Sequence, residues 1–355
     1  MERKLASIQK ILTVEPIEGA DKIEKVKVLG WQCVAVKGEF KPGDKCIYVE
    51  VGSMLPIEDK FESLRKSCYK KMHTGEEGFR IKTIKLRGCL SQGIALPLTF
   101  LGEEFTNSIL FKEGDDVTTK LGVFQYYPYI PPENAGEVWG KRPWFVPFTD
   151  ETRVQSAPET INELKGKEVY ITTKLDGTSV SIYSLMNGPY CDPTFPRQFG
   201  VCSRENELKE KDTNTLWKIV NQYNLKEKLS KYGEPIVIQG ELCGPGIQKN
   251  RLKLHIHDWY VFDIYFPKQI RYASYQELTD LCTVFQLKMV PLMLIGTFNW
   301  NLDQLLKLAE GEYVGTLNLR EGIVIRPTVP IHSPTLAGRL SIKVLNNTFL
   351  LKEEE

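Results

Sequence analysis

The sequence lacks the features of a secreted or membrane-spanning protein. No apolar run approaches the ~20 residues that a membrane helix needs, and the start, Met1–Leu5, has no secretory apolar region. The eight cysteines include no CxxC pair, so the chain carries neither a dense disulfide framework nor a recognisable zinc site. We therefore expect an intracellular protein, cytoplasmic or nuclear, with reduced thiols and no membrane partner.

The sequence also lacks an excess of charge of either sign. Its 46 Lys and Arg residues balance 45 Asp and Glu residues, so the whole-molecule charge does not indicate a nucleic-acid partner. Residues 65–87 are locally basic, and within them the segment 80–87 is predicted to be one strand, with a slip in its alternation, that places several cations on one face. This face could follow a phosphate backbone, and from charge alone a solvated strand surface is an equally good interpretation. The candidate RNA-binding residues are Arg80, Lys82, Lys85 and Arg87.

Two regions of the chain differ in their patterning. Up to about Gly122, short β-rich runs are separated by Gly and Pro-Gly-Asp turn signals, which is typical of a small barrel. A proline-rich passage over residues 126–147 favours an extended connector. Beyond it, strand-like runs are mixed with helices expected at 213–231, 274–286 and 301–310, with Thr213, Ser274 and Asn301 as candidate N-caps. Without a regular βαβ alternation, this region is predicted to be α+β with largely antiparallel sheets.

Lys174 begins the segment that carries the chemistry. In Lys174-Leu175-Asp176-Gly177 an amine follows a strand-like run and lies beside a carboxylate on a tight turn. This pattern alone is weak, because chance produces it in roughly one chain in ten of this length. The specificity comes from the order of the motifs that follow. They are Ser203-Arg204, Glu241-Leu242, Phe262-Asp263, Glu321-Gly322 and Ser341-Ile342-Lys343.

The ordered set from Lys174 to Lys343 resembles the covalent nucleotidyltransferases, the superfamily of ATP-dependent ligases and mRNA capping enzymes. The barrel-like region precedes these motifs, an arrangement that resembles RNA ligase family five. Arg87–Ile94 is similar to the OB segment of that family, and Phe148–Gln155 is similar to its segment before the catalytic domain. The resemblance implies an OB-type β-barrel over 1–125 that binds RNA, a linker over 126–147, and a nucleotidyltransferase domain of antiparallel sheets flanked by helices over 148–355.

The resemblance also implies a three-step reaction with ATP. Lys174 would take AMP from ATP, pass it to an RNA 5′-phosphate, and a 3′-OH would then displace it. A lysine attacks phosphorus only as a neutral amine, so its pKa must be lowered by desolvation or by nearby positive charge. Lys343 and a bound metal ion could supply that charge.

The remaining site residues are assigned by the same resemblance. Glu321, Glu241 and Asp176 would hold Mg²⁺ or Mn²⁺, directly or through waters, and Glu241 could instead bind the ribose. Asp176 would also help to orient the amine. For any one of them alone, a solvated surface residue is the alternative.

The other residues would hold the nucleotide itself. Lys343 is expected at the α-phosphate, Arg204 at the ribose or a phosphate oxygen, and Arg153 elsewhere on the nucleotide. Phe262 and Val324 would contact opposite faces of adenine, although either could be a core residue of its strand.

Two positions depart from the family pattern. Thr173 stands where related RNA ligases often have an acidic residue, which affects adenine selection. Ser341 stands where a first lysine is common, so a second cation must come from elsewhere, with Arg326 and Arg339 as candidates.

Three hypotheses follow. The first is an ATP-dependent RNA ligase that joins 3′-OH and 5′-phosphate ends, including nicked duplexes in RNA repair, and that acts as a monomer. The second is a DNA ligase or capping guanylyltransferase that uses the same Lys174. The third is a noncatalytic OB-fold RNA-binding protein, against which the joint presence of Lys174, Glu321 and Lys343 argues.

Overall fold

The computed structural model describes residues 4–102, 110–127, 136–185 and 198–354. Within these ranges the chain forms two compact units. The first contains the described residues up to 127 together with 155–158 and 350–354, and the second contains those from 136 to 154 and from 159 to 349. None of the helices in the described ranges has the length and apolar character needed to cross a membrane. All seven cysteines in these ranges are free thiols.

The first unit is a nearly closed barrel of short antiparallel strands. Its longest strand pairs with two neighbours, because residues 6–10 face one strand and residues 11–16, which include a bulge after Ile11, face another. Ile8, Ile47 and Phe79 are fully buried inside it. The strands are β1 Ala6–Pro16, β2 Ile23–Val28, β3 Trp31–Val36, β4 Lys45–Val49, β5 Ser53–Leu55, β6 Tyr69–Lys71, β7 Glu77–Arg80, β8 Thr83–Leu86, β9 Cys89–Gln92, β10 Ile94–Leu96 and β11 Phe124–Gln125.

The single strand predicted for residues 80–87 is wrong. β7 ends at Arg80 in the sheet ordered β11-β5-β7-β6, whereas β8 pairs with β9 in a separate two-stranded sheet. Between them Ile81 is buried, and its backbone bonds to Ser53 and Gly52. The chain therefore changes sheets at this point, and the alternation that a single strand would show is interrupted.

The second unit contains two larger sheets. One has the order β12-β17-β16-β15-β18-β19-β20, with β21 beside β19, and the other has the order β13-β26-β23-β14-β22. All pairs in them are antiparallel except β13 with β26 and β19 with β21. The strands are β12 Val138–Lys141, β13 Thr152–Arg153, β14 Glu168–Lys174, β15 Thr178–Ser184, β16 Phe199–Cys202, β17 Asn206–Leu208, β18 Ile236–Cys243, β19 Asp258–Phe266, β20 Arg271–Tyr272, β21 Lys288–Met289, β22 Leu292–Thr297, β23 Gly322–Pro327, β24 His332–Ser333, β25 Gly338–Arg339 and β26 Ile342–Leu345.

Helices pack against these sheets, and two of them begin where the sequence predicted. Ser274 and Asn301 each cap a helix in a reciprocal capping box, which satisfies amide groups that the first turn leaves free. The helix predicted for 213–231 is instead two helices, because Asn224 takes a left-handed conformation, and its N-cap is Asn214 rather than Thr213. Over the described residues the α-helices are Arg65–Cys68, which lies in the first unit, Thr160–Leu164, Thr215–Gln222, Leu225–Tyr232, Tyr275–Phe285, Leu302–Ala309 and Asn347–Glu354.

The predicted α+β class, a barrel followed by sheets flanked by helices, is confirmed. The passage expected to be an extended linker contains a strand, since β12 pairs with β17 in the larger sheet of the second unit. Proline density favoured an extended backbone there, and an extended backbone can join a sheet edge. Part of the passage, residues 128–135, lies outside the described residues. The exact domain boundaries stay a prediction.

Candidate active site

Lys174 is the last residue of β14, an interior strand of its sheet. The preceding residues Val169 and Ile171 are fully buried and fix the strand in the core. Lys174 lies opposite Gly322, the first residue of β23. Its Nζ donates a hydrogen bond to Glu321 Oε2 at 2.7 Å, and the two side chains are only 22% and 18% exposed. The two residues at the centre of the predicted chemistry therefore form a partly buried ion pair.

Strand register brings further predicted residues to the same face as Lys174. Arg153 lies opposite Lys343, and Lys343 lies opposite Val324, which in turn faces Thr172. Directly paired residues project to the same side of a sheet, and Lys174 is two residues beyond Thr172, so it shares that side. Three strands that are distant in sequence thus place two cations and an apolar side chain beside the nucleophile.

Asp150 links two of the predicted cations. Its carboxylate accepts from Arg204 Nε at 2.8 Å and lies 3.9 Å from Lys343 Nζ. Burial lowers the pKa of Lys343 to about 8, and Lys174 contributes to the lowering, while Asp150 opposes it. Burial opposes ionisation of Asp150 too, but Lys343 and Arg204 hold its pKa below the usual value. Asp150 lies in the segment Phe148–Gln155, but the sequence alone assigns it no role.

The predicted acidic residues surround Lys174 but do not form a ready-made metal cage. Glu241 Oε1 accepts from the amide of Gly177 at 3.1 Å, and Asp176 Oδ2 accepts from Arg251 Nε at 2.8 Å. In the described part of the chain, no group of three or more His, Cys, Asp or Glu side chains is arranged to hold a metal ion. Burial and repulsion from Glu321 raise the pKa of Asp176, and the same two causes raise the pKa of Glu241 to about 8. The charge of Lys174 opposes both shifts.

The expectation of a lowered pKa for Lys174 is wrong for the protein alone. Burial favours the neutral amine, but Glu321 and Glu241 outweigh burial and raise the pKa of Lys174 above its usual range. Spacing along the sequence showed which residues could approach Lys174. It did not show that carboxylates would dominate over Lys343 in its surroundings.

Two glycines allow this close packing. A Cβ on Gly322 would lie 2.1 Å from the carbonyl oxygen of Val344, and one on Gly177 would lie 2.4 Å from that of Leu242. Such distances are impossible for a side-chain carbon, so the backbone can approach only where these residues are glycine.

Phe262 and Val324, the residues expected to contact adenine, differ in their burial. Phe262 is partly buried at a bulge between β18 and β19 and packs against the apolar cluster that contains Leu175. Its carbonyl oxygen accepts from Arg326 Nη1 at 3.2 Å. Val324 is buried at 7% exposure in β23.

The two candidates for a compensating cation are held inside the protein. Arg326 donates to Ser341 Oγ at 3.0 Å and forms an ion pair with Glu151. Arg339 lies 2.5 Å from Asp263. Ser341, which stands where the family commonly has its first lysine, is therefore hydrogen-bonded to the buried ion pair of Arg326 and Glu151. Thr173, the other departure, is buried, and its amide donates to the carbonyl of Pro291.

The four candidate RNA-binding residues lie in the first unit. Arg80 is partly buried with its guanidinium 4.1 Å from the ring centre of Tyr126, and Lys82 is also partly buried. Lys85 and Arg87 are exposed, on β8 and on the turn after it.

Comparison with known families agrees with this arrangement. An OB-fold domain model matches residues 5–98, and the RNA ligase model matches residues 167–345, the part that contains Lys174, Glu321 and Lys343. This chain belongs to the RNA ligase family. No curated protein matched the chain.

Solved structures of an RNA ligase extend the match to nearly the whole chain. A variant of Naegleria gruberi RNA ligase with ATP and Mn is 33% identical, with a TM-score of 0.87, and the alignment covers 99% of this chain and 100% of that one. A variant with AMP and Mn gives the same identity, TM-score and coverage. The structure of that ligase with PPi is 34% identical, with a TM-score of 0.86 and 98% of each chain covered. The protein is therefore an RNA ligase, which agrees with the enzyme class of the first hypothesis.

Proposed function

We propose that this RNA ligase is ATP-dependent and that Lys174 carries AMP as a covalent intermediate. The observation that supports this most is the placement of Lys174 at the end of β14, paired with Glu321 and on one face with Lys343 and Arg153. The Naegleria gruberi ligase to which the chain is similar has been solved with ATP, the substrate of this transfer, with PPi, its leaving product, and with AMP, which is released when the ends are sealed.

A divalent cation, Mg²⁺ or Mn²⁺, fits the donor set around Lys174. Glu241 and Asp176 both have raised pKa values because carboxyl groups are buried near one another, and a cation would relieve that repulsion. Glu321, Glu241 and Asp176 would hold it, with substrate phosphates as further ligands, which suits ions that are seldom held by protein side chains alone. The cation would neutralise carboxylates that now stabilise the protonated Lys174 and so favour the neutral amine.

In the first step, Nζ of Lys174 attacks the α-phosphorus of ATP. An N–P bond forms, the bond to the bridging oxygen of the β-phosphate breaks, and pyrophosphate leaves. Lys343 is positioned to stabilise charge on the phosphoryl oxygens, as Arg153 is from the neighbouring strand. Arg204 would exchange its bond to Asp150 for one to the nucleotide.

The base is held by apolar contacts in this proposal. Phe262 stacks on one face of adenine and Val324 packs on the other. Phe262 is partly buried against the cluster that contains Leu175, so its ring lies near the nucleophile rather than on the outer surface.

The second and third steps transfer AMP and seal the RNA. An oxygen of the RNA 5′-phosphate attacks the phosphorus of lysyl-AMP, which breaks the N–P bond and restores Lys174. A 3′-OH then attacks the activated 5′-phosphorus, and AMP leaves as the phosphodiester forms. We propose that the ends meet in a nicked duplex and that the enzyme acts as a monomer in RNA repair.

The first unit is proposed to bind the RNA backbone through Arg80, Lys82, Lys85 and Arg87. Lys85 and Arg87 carry most of this proposal because both are exposed. We propose the boundaries 1–125, 126–147 and 148–355 for the OB domain, the linker and the ligase domain. Free thiols at every described cysteine are consistent with a reducing location such as the cytoplasm or nucleus.

Sealing of defined ends tests the proposal. Nicked duplexes with a labelled 5′-phosphate and either a ribose or a deoxyribose 3′-OH terminus would be incubated with ATP and Mg²⁺ or Mn²⁺. We expect joining of the ribose-terminated nick and no joining by Lys174→Ala. Joining that proceeds equally well without ATP, or that survives in Lys174→Ala, would contradict the proposal.

A further inference from the structure

Tyr313 lies next to the active site but belongs to none of the motifs described above. It is in the segment between helix Leu302–Ala309 and β23, and it is 2% exposed. Its ring packs in a cluster with Leu175, Cys243 and Val290, so it is buried directly beside the residue that follows the nucleophile.

The hydroxyl of Tyr313 connects the two central residues of the site. It donates to the carbonyl oxygen of Lys174 at 3.1 Å and accepts from the amide of Glu321 at 3.1 Å. Lys174 and Gly322 are the last paired residues of β14 and β23, and Glu321 lies one residue beyond. The hydroxyl therefore joins the two strands just past the point where their own pairing ends.

The backbone of Glu321 is held from the other side as well. Its carbonyl oxygen accepts from the amide of Asn346 at 2.9 Å, and Asn346 is fully buried. With Tyr313 at the amide and Asn346 at the carbonyl, the main chain of Glu321 has little freedom to move. The 2.7 Å contact between Lys174 and Glu321 thus depends on backbone bonds that Tyr313 provides.

The same short segment also reaches Asp176. The amide of Tyr313 donates to the carbonyl of Asn318 at 2.9 Å, and Asn318 Nδ2 donates to the carbonyl of Arg251 at 2.6 Å. Arg251 in turn donates to Asp176 at 2.8 Å. The segment 313–318 is therefore bonded directly to Lys174 and, through Arg251, to Asp176.

We propose that Tyr313 is a positioning residue of the ligase reaction, whose hydroxyl fixes the backbones of Lys174 and Glu321 so that the amine is aimed at the α-phosphate. This rests on the proposed role of Lys174 as the nucleophile. Tyr313 makes no bond to the nucleotide in this account, so it sets the rate of AMP transfer rather than the binding of ATP.

Tyr313→Phe removes the hydroxyl and keeps the ring in its apolar cluster. Single-turnover formation of lysyl-AMP would be measured over a range of ATP concentrations. We expect the maximal rate to fall about tenfold or more, because a buried amide and a buried carbonyl lose their partner and the nucleophile shifts. The ATP concentration at half-maximal rate should change less than about twofold.

Tyr260→Phe is the matched control. Tyr260 packs against the same apolar cluster, but its hydroxyl interacts with Asp258 rather than with Lys174 or Glu321. We expect this variant to transfer AMP at the wild-type rate. Equal rates for Tyr313→Phe and Tyr260→Phe, or a loss in Tyr313→Phe that appears only as weaker ATP binding, would overturn the proposal.

A crystal structure of Tyr313→Phe separates this inference from the proposed function. We expect the contact between Lys174 Nζ and Glu321 Oε2 to lengthen by about 1 Å, the scale of misplacement that costs catalysis heavily. A contact that matches the wild-type structure would overturn the positioning role. If the wild-type protein forms no lysyl-AMP, the proposed function fails, and this structural comparison decides the role of Tyr313 by itself.

Discussion

Binding of ATP should weaken with rising pH because of Lys343. This lysine is partly buried on β26 beside Arg153, and its Nζ lies 3.9 Å from Asp150. Burial lowers its pKa to about 8, with Lys174 and Arg153 adding to the effect and Asp150 opposing it. Lys343 is therefore a cation below pH 8 and largely neutral above it. Since the proposed partner is an anionic phosphate, affinity should be lost as pH rises through this value.

The expected size follows from the titration. With a pKa of about 8, the charged fraction of Lys343 falls from about 0.9 at pH 7 to about 0.1 at pH 9, so affinity should fall roughly tenfold. The pKa of Glu241 is also about 8, and its ionisation over the same interval would weaken anion binding further. The assay is equilibrium binding of α,β-methylene-ATP, whose bridging carbon prevents transfer to Lys174. It is made at constant ionic strength without divalent cations, because a cation would neutralise Glu241.

Lys343→Arg separates the two titrations. A guanidinium stays charged over the whole interval, so the affinity of the Arg variant should not show the tenfold fall that is due to Lys343. It should show only the smaller fall that is due to ionisation of Glu241. Glu241→Gln should do the reverse. An affinity that falls equally steeply in wild type and Lys343→Arg would refute the reasoning, as would a wild-type affinity that is constant from pH 7 to 9.

Three further predictions concern stability and RNA binding. Lys343→Met should raise the free energy of unfolding in urea at pH 7 by roughly 3 kcal/mol, because it removes the cost of lowering the lysine pKa from 10.5 to about 8. This gain should shrink between pH 8 and 10.5, where the unfolded wild-type chain binds one more proton than the folded chain. An undiminished gain at pH 10.5 would contradict this prediction. Gly322→Ala should destabilise the protein by more than about 2 kcal/mol, since the new Cβ would lie 2.1 Å from a carbonyl oxygen. Gly296→Ala should be tolerated, because no atom lies within 4 Å of the Cβ position there. Similar melting temperatures for the two variants would contradict this prediction. Lys85→Gln and Arg87→Gln should each lower the slope of log affinity for RNA against log salt by about 1 while lysyl-AMP formation stays at the wild-type rate; unchanged slopes would remove these residues from the interface.

Local signals in the sequence predicted local structure well. Ser274 and Asn301 start helices because their side chains bond to amides three residues away, within the same turn. The helix predicted for 213–231 is interrupted by Asn224 in a left-handed conformation, and no Gly or Pro in the sequence indicates this break. The division of residues 80–87 between two sheets depends on Ser53 and Gly52, which lie far away in the sequence.

The ordered motifs predicted most of the site but not its electrostatics. Lys174, Glu321 and Lys343 lie close together because β14, β23 and β26 are neighbours in one sheet. The family resemblance implied this arrangement, and the spacing of the residues alone did not predict it. Asp150 and Tyr313 could not be assigned, because their roles depend on which side chains the sheet register brings within bonding distance. The direction of the Lys174 pKa shift depends on the same tertiary distances, since Glu321 lies 2.7 Å from its amine and, with Glu241, outweighs burial.

Formation of lysyl-AMP tests the central claim most directly. Purified protein would be incubated with Mg²⁺ or Mn²⁺ and each of the four α-labelled NTPs, then analysed on a denaturing gel beside Lys174→Ala and Lys174→Arg. The Arg variant keeps a cation facing Glu321 but cannot act as the nucleophile. We predict label from ATP alone, lost in both variants. Absence of label from every nucleotide, with the protein folded and not already adenylylated, or label that persists in Lys174→Arg, would contradict the account.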